Sequence, residues 1–175
     1  MLASLDLAVL RALYADQASC SWVMFLRCVT FLGSGWMLLA LVFVLLSPRW
    51  RLEATAGLAT VLATSLAVAW IKILAGRARP CHAVAWVHGL ALEVPRDCSF
   101  PSGHAAGSFA FACFVLTLHR RAGVAALAVA TAVAISRVAL GVHYPTDVVA
   151  GALFGAVMGF SGAQLYGART RRLEG

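Results

Sequence analysis

The sequence predicts an all-α integral membrane protein: a bundle of five transmembrane spans plus an N-terminal interfacial amphipathic helix, six helices in total. Of the 175 residues, 62% are hydrophobic and only 12% are charged. The mean hydropathy is +0.87, which lies outside the range of soluble domains. The charged residues separate long apolar runs, and a bundle of this size would use nearly the whole length. We therefore expect a single domain over residues 1–175.

The formal net charge of +7 raises the question of nucleic-acid binding. A nucleic-acid-binding protein clusters Lys and Arg on one solvated face, whereas here they flank apolar runs. Membrane topology explains the charge better, and no nucleic-acid partner is expected. No removable signal peptide is expected either, because Asp6, Arg11 and Asp16 interrupt the first 19 residues.

Residues 2–13 predict the interfacial helix. Apolar residues recur there at helical spacing, with Asp6 elsewhere on the helical wheel. The segment is too short and too charged to cross a hydrocarbon core, which requires about 20 apolar residues. We expect it to lie flat as a membrane anchor, and no chemistry is assigned to it.

Five longer apolar segments predict the spans. In order, they cover residues 28–48 (with a start near Trp22), 53–73, 101–118, 122–141 and 145–166. The fourth must include Ser136 and Arg137, because the segment before them rises only about 22 Å, short of the roughly 30 Å core. In the fifth, Gly151, Gly155 and Gly159 predict a face for close helix packing. Arg27, near the start of the first span, either snorkels to the interface, which is favoured, or contacts the polar centre.

Consecutive spans alternate in direction, so four polar segments emerge on one side of the membrane. We expect their side chains to converge on one site, formed by Lys72, Arg79, Ser102, His104, Arg137, His143 and Asp147. The opposite side carries short arginine-rich segments at 49–51, 120–121 and 169–172, as cytoplasmic loops do. This asymmetry predicts a site that faces outward and a cytoplasmic C-terminus. A bacterial periplasm or another extracytoplasmic space fits, and we expect a bacterial inner-membrane protein because the chain is small and has few extramembrane residues.

Three motifs supply these polar residues. They are Lys72-x6-Arg79-Pro80, Pro101-Ser102-Gly103-His104 and Ser136-Arg137-x5-His143-x3-Asp147. In this order, without a gap, they resemble the signature of the type 2 phosphatidic acid phosphatase family, membrane lipid phosphate phosphatases related to vanadium haloperoxidases. The resemblance covers residues 72–147 and implies a helical bundle with lipid phosphatase activity. The family often has six spans, where this sequence predicts five and an interfacial helix.

The residue types suit phosphate binding. Lys72, Arg79 and Arg137 supply three cations, and a guanidinium can bind two phosphate oxygens at once. The segment from Ser102 opens a helix, whose free N–H groups and positive dipole end attract an anion. Gly103 permits close approach, and Ser102 is compatible with both a helix cap and a phosphate donor.

His143 and Asp147 are the predicted nucleophile and orienting carboxylate, since a carboxylate that accepts one imidazole N–H leaves the other nitrogen free to attack. By the resemblance, His143 forms a phosphohistidine, and His104 protonates the leaving oxygen and then activates water. No cofactor is implied. Two histidines and an aspartate could ligate zinc, but the neighbouring cations oppose a metal, and the protein's own donors would stabilise the transition state.

The loop 81–100 is less informative. Its polar residues either line the site entrance or are solvated, and solvation is favoured; these residues are His82, His88, Glu93, Arg96 and Asp97, and Arg77 is similarly ambiguous. Cys81 and Cys98 share the loop. In an oxidising compartment they could form a disulfide, worth about 3 kcal/mol in the chain-entropy model.

The leading hypothesis is a membrane phosphatase that hydrolyses a phosphomonoester or pyrophosphate of a lipid from the outer leaflet. The resemblance allows undecaprenyl pyrophosphate, phosphatidylglycerol phosphate, phosphatidic acid and lipid A phosphates as substrates. A vanadate-dependent haloperoxidase is disfavoured because those enzymes are soluble. A non-catalytic lipid-binding or transport protein would not need His104, His143 and Asp147 together. The motifs leave the oligomeric state open.

Overall fold

The computed structural model describes residues 2–16, 18–33 and 47–174. The regular elements in these ranges are all helices, which confirms the all-α prediction. In chain order they are α1 (Leu2–Leu13), α2 (Cys20–Leu32), α3 (Arg51–Ala75), α4 (Pro80–Ala83), α5 (Gly103–Leu118), α6 (Arg120–Ala139) and α7 (Pro145–Glu174). Residues 34–46, most of the predicted first span, lie outside the described residues.

The helices agree with an integral membrane protein. Three segments in the described ranges are long and apolar enough to cross a membrane: Arg51–Ala83, Arg120–Ala139 and Pro145–Thr170. The helices α2 and α5 are apolar but shorter, so the count of five spans stays a prediction. Large apolar side chains point outward, including Trp70 at 68% exposure and Leu153 at 65%. Such surfaces are unfavourable in water but suit lipid contact.

Helix α5 lies at the centre of the bundle. It packs against α3, α6 and α7, and its alanines at 105, 106, 110 and 112 are fully buried. These small side chains allow the neighbouring backbones to approach closely, which is how helices associate in membranes.

Three glycines of α7 lie against the backbone of α5, as predicted. A Cβ atom at Gly151 would lie 2.5 Å from the Ser102 carbonyl oxygen, and one at Gly155 would lie 2.1 Å from that of Ala106. At Gly159 the corresponding distance, to the Ala110 carbonyl oxygen, is 2.3 Å. The glycines therefore fix the register of α7 against α5.

Two further glycines turn the chain at the end of the bundle that carries the predicted site. Helix α3 ends at Gly76, whose φ of +58° lets its N–H bond the Lys72 carbonyl oxygen. The segment after α6 turns at Gly141, with φ of +72°. A Cβ there would meet Val87 and Tyr14 side-chain atoms at 2.8 and 2.9 Å. Both positions require glycine, and both precede site residues.

Helix α1 has the predicted bounds but is not only an anchor. It contacts α6 and α7, and both Leu10 and Asp6 are buried, at 0% and 4% exposure. Leu5 and Leu13 face outward, at 60% and 43%. One face of α1 therefore belongs to the bundle, and it carries a carboxylate.

The glycine contact predicts a large effect of one methyl group. Gly155→Ala should destabilise the protein by about 1–3 kcal/mol, because the new Cβ collides with backbone that cannot move aside. Thermal unfolding of the detergent-solubilised protein measures the effect. The matched control is Gly167→Ala in the same helix, where nothing lies within 4 Å. That change should be neutral or slightly stabilising, because alanine favours the helix, and equal unfolding temperatures for the two variants would refute the packing argument.

Candidate active site

A cavity of about 300 Å³ opens at the end of the bundle where α3 ends and α7 begins. Six of the eight predicted site residues line it: Lys72, Arg79, Gly103, His104, Arg137 and His143. Its other lining residues are Ser65, Val68, Ala69, Pro95 and Asp97. A larger groove of about 570 Å³ lies between α3 and α7 with a mainly apolar lining. Only the smaller cavity has the cations and imidazoles that phosphate chemistry requires.

Arg79 contacts residues on two sides of the cavity and is almost completely buried. Its Nη1 donates to the Val142 carbonyl oxygen at 2.8 Å and lies 3.0 Å from Nε2 of His143. Its Nε and Nη2 donate to the backbone and side-chain oxygens of Asp97, at 2.8 and 2.7 Å. The guanidinium thus joins the loop before α5 to the turn before α7.

Asp97 bridges the two cations of the first motif. Lys72 Nζ donates to Asp97 Oδ2, and also to the Cys98 carbonyl oxygen at 2.8 Å. Partial burial raises the pKa of Asp97, but the hydrogen bonds and charges of Lys72 and Arg79 outweigh it and hold the pKa at about 2. Asp97 is therefore an anion that is paired with two of the predicted phosphate-binding cations. Because it lines the cavity, its favoured interpretation as a solvated loop residue is wrong.

The contacts of His143 define its tautomer. Arginine has no acceptor, so a hydrogen bond between Arg79 Nη1 and His143 Nε2 requires an unprotonated Nε2. The proton of neutral His143 then sits on Nδ1, which faces Asp147 Oδ2 at 3.6 Å. Burial first, and then Arg79 and Arg137, lower the pKa of His143 to about 4 against the opposing effect of Asp147. The lone pair of Nε2 is thus directed toward the cations.

Asp147 is fully buried and held by four groups besides His143. Its Oδ2 accepts from Ser99 Oγ and from the Tyr144 N–H at 2.9 Å. Its Oδ1 accepts from Arg77 Nη1 at 2.6 Å. Its backbone oxygen accepts from the Ser102 N–H at 3.0 Å. Ser99 Oγ also lies 3.4 Å from His143 Nδ1, so it touches both members of the pair.

Arg137 enters the cavity from the last turn of α6 and is 3% exposed. Its Nη1 donates to Thr30 Oγ1 of α2 at 2.8 Å. Its Nε is buried and lacks a hydrogen-bond partner among the described residues. A buried N–H of a cation without a partner is costly, and an anion in the cavity would satisfy it.

The second motif supplies the helix start and one imidazole. Ser102 caps α5, since its Oγ accepts from the Ala105 N–H at 3.5 Å. Ser102 lies outside the cavity lining, as Asp147 does, and its role as a phosphate donor stays a prediction. Gly103 and His104, the first two residues of α5, form part of the cavity wall.

The model of the PAP2 superfamily matches residues 53–171. The chain belongs to this superfamily. It is 37% identical over 139 residues to the decaprenylphosphoryl-5-phosphoribose phosphatase of Mycobacterium tuberculosis, which covers 78% of this chain and 75% of the relative. The predicted membership in the type 2 phosphatidic acid phosphatase family is confirmed, and so is the class of enzyme, a lipid phosphate phosphatase.

Two solved structures have the same fold. The transmembrane PAP2-type phosphatidylglycerolphosphate phosphatase of Bacillus subtilis superposes with a TM-score of 0.79 at 23% identity, covering 94% of this chain and 85% of that one. Aquifex aeolicus LpxE also gives 0.79, at 25% identity, covering 91% and 95%. At 23% identity, the likeness to the Bacillus subtilis structure supports the fold only.

Several contacts of this PAP2 site were not predicted from the sequence. Arg77 binds Asp147, Ser99 binds Asp147, and Thr30 binds Arg137. Thr30 and Ser99 lie outside the three motifs, and Arg77 occupies one of the unspecified positions between Lys72 and Arg79. Arg27 does not snorkel freely: its Nε donates to the Leu90 carbonyl oxygen at 2.7 Å and holds the loop.

Cys81 and Cys98 are free thiols in this structure, so the disulfide stays a prediction. Across residues 2–16, 18–33 and 47–174, no group of three His, Cys, Asp or Glu side chains is arranged to hold a metal ion.

Asp97 should compete with phosphate for Lys72 and Arg79. Asp97→Asn removes the competing charge, so we expect the inhibition constant for inorganic phosphate to fall about three- to tenfold, or about 0.7–1.4 kcal/mol. Steady-state inhibition measures it. Glu93→Gln is the matched control, because it removes one exposed carboxylate from the same loop. Weaker phosphate binding by Asp97→Asn than by the control would show that Asp97 orients the cations instead.

Proposed function

We propose that this PAP2 protein hydrolyses the phosphomonoester or diphosphate of a long-chain lipid, with polyprenyl-linked phosphates as the leading substrate class. The similarity to the decaprenylphosphoryl-5-phosphoribose phosphatase, which extends over three quarters of both chains, supports that class. The observation that carries the chemistry is the orientation of His143, with Nε2 at the cations and Nδ1 at Asp147.

The first step would be attack of His143 Nε2 on phosphorus. A P–N bond forms while the P–O bond to the lipid breaks, and protonated His104 supplies a proton to the leaving oxygen. Lys72, Arg79 and Arg137 stabilise the charge on the other oxygens, which is electrostatic stabilisation by pre-oriented donors. Asp147 stabilises the positive charge that His143 acquires.

The second step would release phosphate. Neutral His104 takes a proton from water, the water oxygen attacks phosphorus, and the P–N bond breaks to restore His143. Because Arg79 donates to Nε2 before substrate arrives, a phosphate oxygen that draws this donor away also frees the lone pair. Binding and activation of the nucleophile would then be coupled.

The cavity wall supports a lipid substrate. Ser65, Val68, Ala69 and Lys72 follow one another at three- and four-residue intervals, so one face of α3 leads from the apolar part of the helix to the cations. Ser65 and Ala69 are also exposed on the outer surface of the helix. A head group in the cavity would thus be continuous with an apolar chain lying along α3.

We further propose that the site faces the extracytoplasmic side of a bacterial inner membrane. The other end of the bundle carries Arg49 just before α3, Arg51 at its first residue, Arg120 and Arg121 at the start of α6, and Arg169 near the end of α7. Arginines in short segments beside spans favour the cytoplasm.

This orientation predicts the behaviour of reporter fusions. Green fluorescent protein fused after Gly175 should fluoresce, because it folds in the cytoplasm, and alkaline phosphatase fused there should be inactive. Fusions after Pro95, in the site-end loop, should show the opposite pattern and serve as the control. Active alkaline phosphatase at the C-terminus would reverse the proposed topology.

The activity is tested with purified protein in detergent, as phosphate release from a panel of lipid phosphates. The panel holds decaprenylphosphoryl-5-phosphoribose, undecaprenyl diphosphate, phosphatidylglycerol phosphate, phosphatidic acid and lipid A. We expect the polyprenyl substrates to have the highest kcat/KM, with activity unchanged by EDTA. His143→Ala should lose at least about 10³-fold in kcat, the scale at which nucleophiles act. Substrate labelled with ³²P should leave an acid-labile, base-stable label on the wild type only.

Each part of the proposal has its own contrary result. Activity lost on chelation and restored by a divalent metal would replace the metal-free mechanism. Full activity or retained label in His143→Ala would exclude His143 as the nucleophile. A preference for phosphatidylglycerol phosphate, phosphatidic acid or lipid A would change the substrate class and leave the chemistry standing.

A further inference from the structure

Arg77 lies between two carboxylates that come from opposite ends of the chain. Its Nη1 donates to Asp147 Oδ1 at 2.6 Å, and its Nη2 donates to Asp6 Oδ2 at 2.7 Å. The Tyr144 ring stacks on the guanidinium, with Cζ 4.0 Å from the ring centroid. The plane of the guanidinium is therefore fixed by contacts at its edge and on its face.

Asp6 is the unexpected member of this group. It belongs to α1, the helix predicted to be a membrane anchor, yet it is only 4% exposed. Its Oδ2 accepts from Thr146 Oγ1 at 2.6 Å, and its Oδ1 accepts from the Thr146 N–H at 2.9 Å. A buried carboxylate is stable only when it is paired and hydrogen-bonded, and Asp6 meets both conditions through Arg77 and the first turn of α7.

The two oxygens of Asp147 have separate partners. Oδ2 faces the His143 side and is bonded by Ser99 and Tyr144, while Oδ1 is bonded by Arg77. At 3.6 Å, the contact between Asp147 Oδ2 and His143 Nδ1 is longer than a hydrogen bond. The orientation of the carboxylate is thus set mainly by its other partners, and Arg77 is the only cation with a salt bridge to it in the described structure.

We infer that α1 is part of the catalytic apparatus: Asp6 holds Arg77, and Arg77 positions the Asp147 carboxylate that orients His143. Arg77 and Asp6 are positioning residues, since neither lines the cavity. The inference rests on the proposed roles of His143 and Asp147. It adds that the orienting carboxylate depends on a residue about 140 positions earlier in the chain.

The geometry distinguishes this role from a simple ion pair between helices. Arg77 Nη1 also donates to Thr146 Oγ1 at 2.8 Å, so the guanidinium bonds Asp147, Thr146 and Asp6 at once. Only a planar group with several donors can make these contacts together, whereas a lysine ammonium is a single point charge. Arg77→Lys should therefore retain a charge near Asp147 and lose part of the alignment.

The test is the steady-state kinetics of Asp6→Asn, Arg77→Lys, Arg77→Gln and the double variant Asp6→Asn/Arg77→Gln. Asp6→Asn should lower kcat about 5- to 20-fold and Arg77→Gln about 100-fold, the scale of a misplaced catalytic group, with Arg77→Lys between wild type and Arg77→Gln. KM and inhibition by inorganic phosphate should stay within about twofold, because the cations of the cavity are untouched. The double variant should be no slower than Arg77→Gln, since residues acting in series are not additive.

The matched control is Asp16→Asn, an exposed carboxylate just beyond α1, which should leave kcat unchanged. If the kcat of Asp6→Asn equals that of this control, α1 has no part in positioning Asp147. The same conclusion follows if the kcat loss of the double variant is the product of the losses in Asp6→Asn and Arg77→Gln. The same holds if KM changes in place of kcat. Asp6→Asn is nearly isosteric, so it decides the question even if Arg77→Gln does not fold. His143→Ala, assayed alongside, separates this outcome from failure of the proposed mechanism.

Discussion

The pairing of charges, most of them buried, at one end of the bundle is the constraint on which the site depends. Four cations are gathered there: Lys72, Arg77, Arg79 and Arg137. Three carboxylates form salt bridges within this group: Asp6, Asp97 and Asp147. These seven groups carry one net positive charge, before His104 and His143 are counted. Because unpaired buried charge is costly, the cluster is stable as a set and favours an added anion.

Helix packing makes that set possible. The glycines of α7 let its backbone lie against α5, and the same contact brings the Ser102 N–H to the Asp147 carbonyl oxygen. The second and third motifs are therefore joined by backbone as well as by side chains. A shift of α7 along α5 would separate Asp147 from Ser99 while leaving every motif residue in the sequence. The register of two helices is thus a condition for the geometry of the proposed catalytic pair.

The sequence predicts that the residues of the three motifs lie together, because spans that alternate in direction can bring only certain segment ends to the same side. It also predicts the glycine face, since four-residue spacing places those positions on one side of a helix. It was not sufficient for Asp6, Asp97 or Thr30. Each of them has its partners in another helix or loop, and an isolated polar residue in an apolar segment does not specify which partner the fold will bring to it. The sequence does not predict the ion pairs of Asp97, because a charged loop residue is most often solvated.

Arg77 and Arg79 show how the fold separates the roles of similar residues. They are two positions apart after the turn at Gly76, and the motif predicts a site role for Arg79 only. Arg77 meets a separate carboxylate on each side, so its charge is used in holding Asp147. Arg79 shares Asp97 with Lys72 and directs a donor at His143 Nε2. Lys72 and Arg79 carry two positive charges and share the single carboxylate of Asp97, so one positive charge is available to a phosphate. The partners of each arginine, more than its position in the motif, therefore determine whether it holds the proposed catalytic pair or stays available to a phosphate.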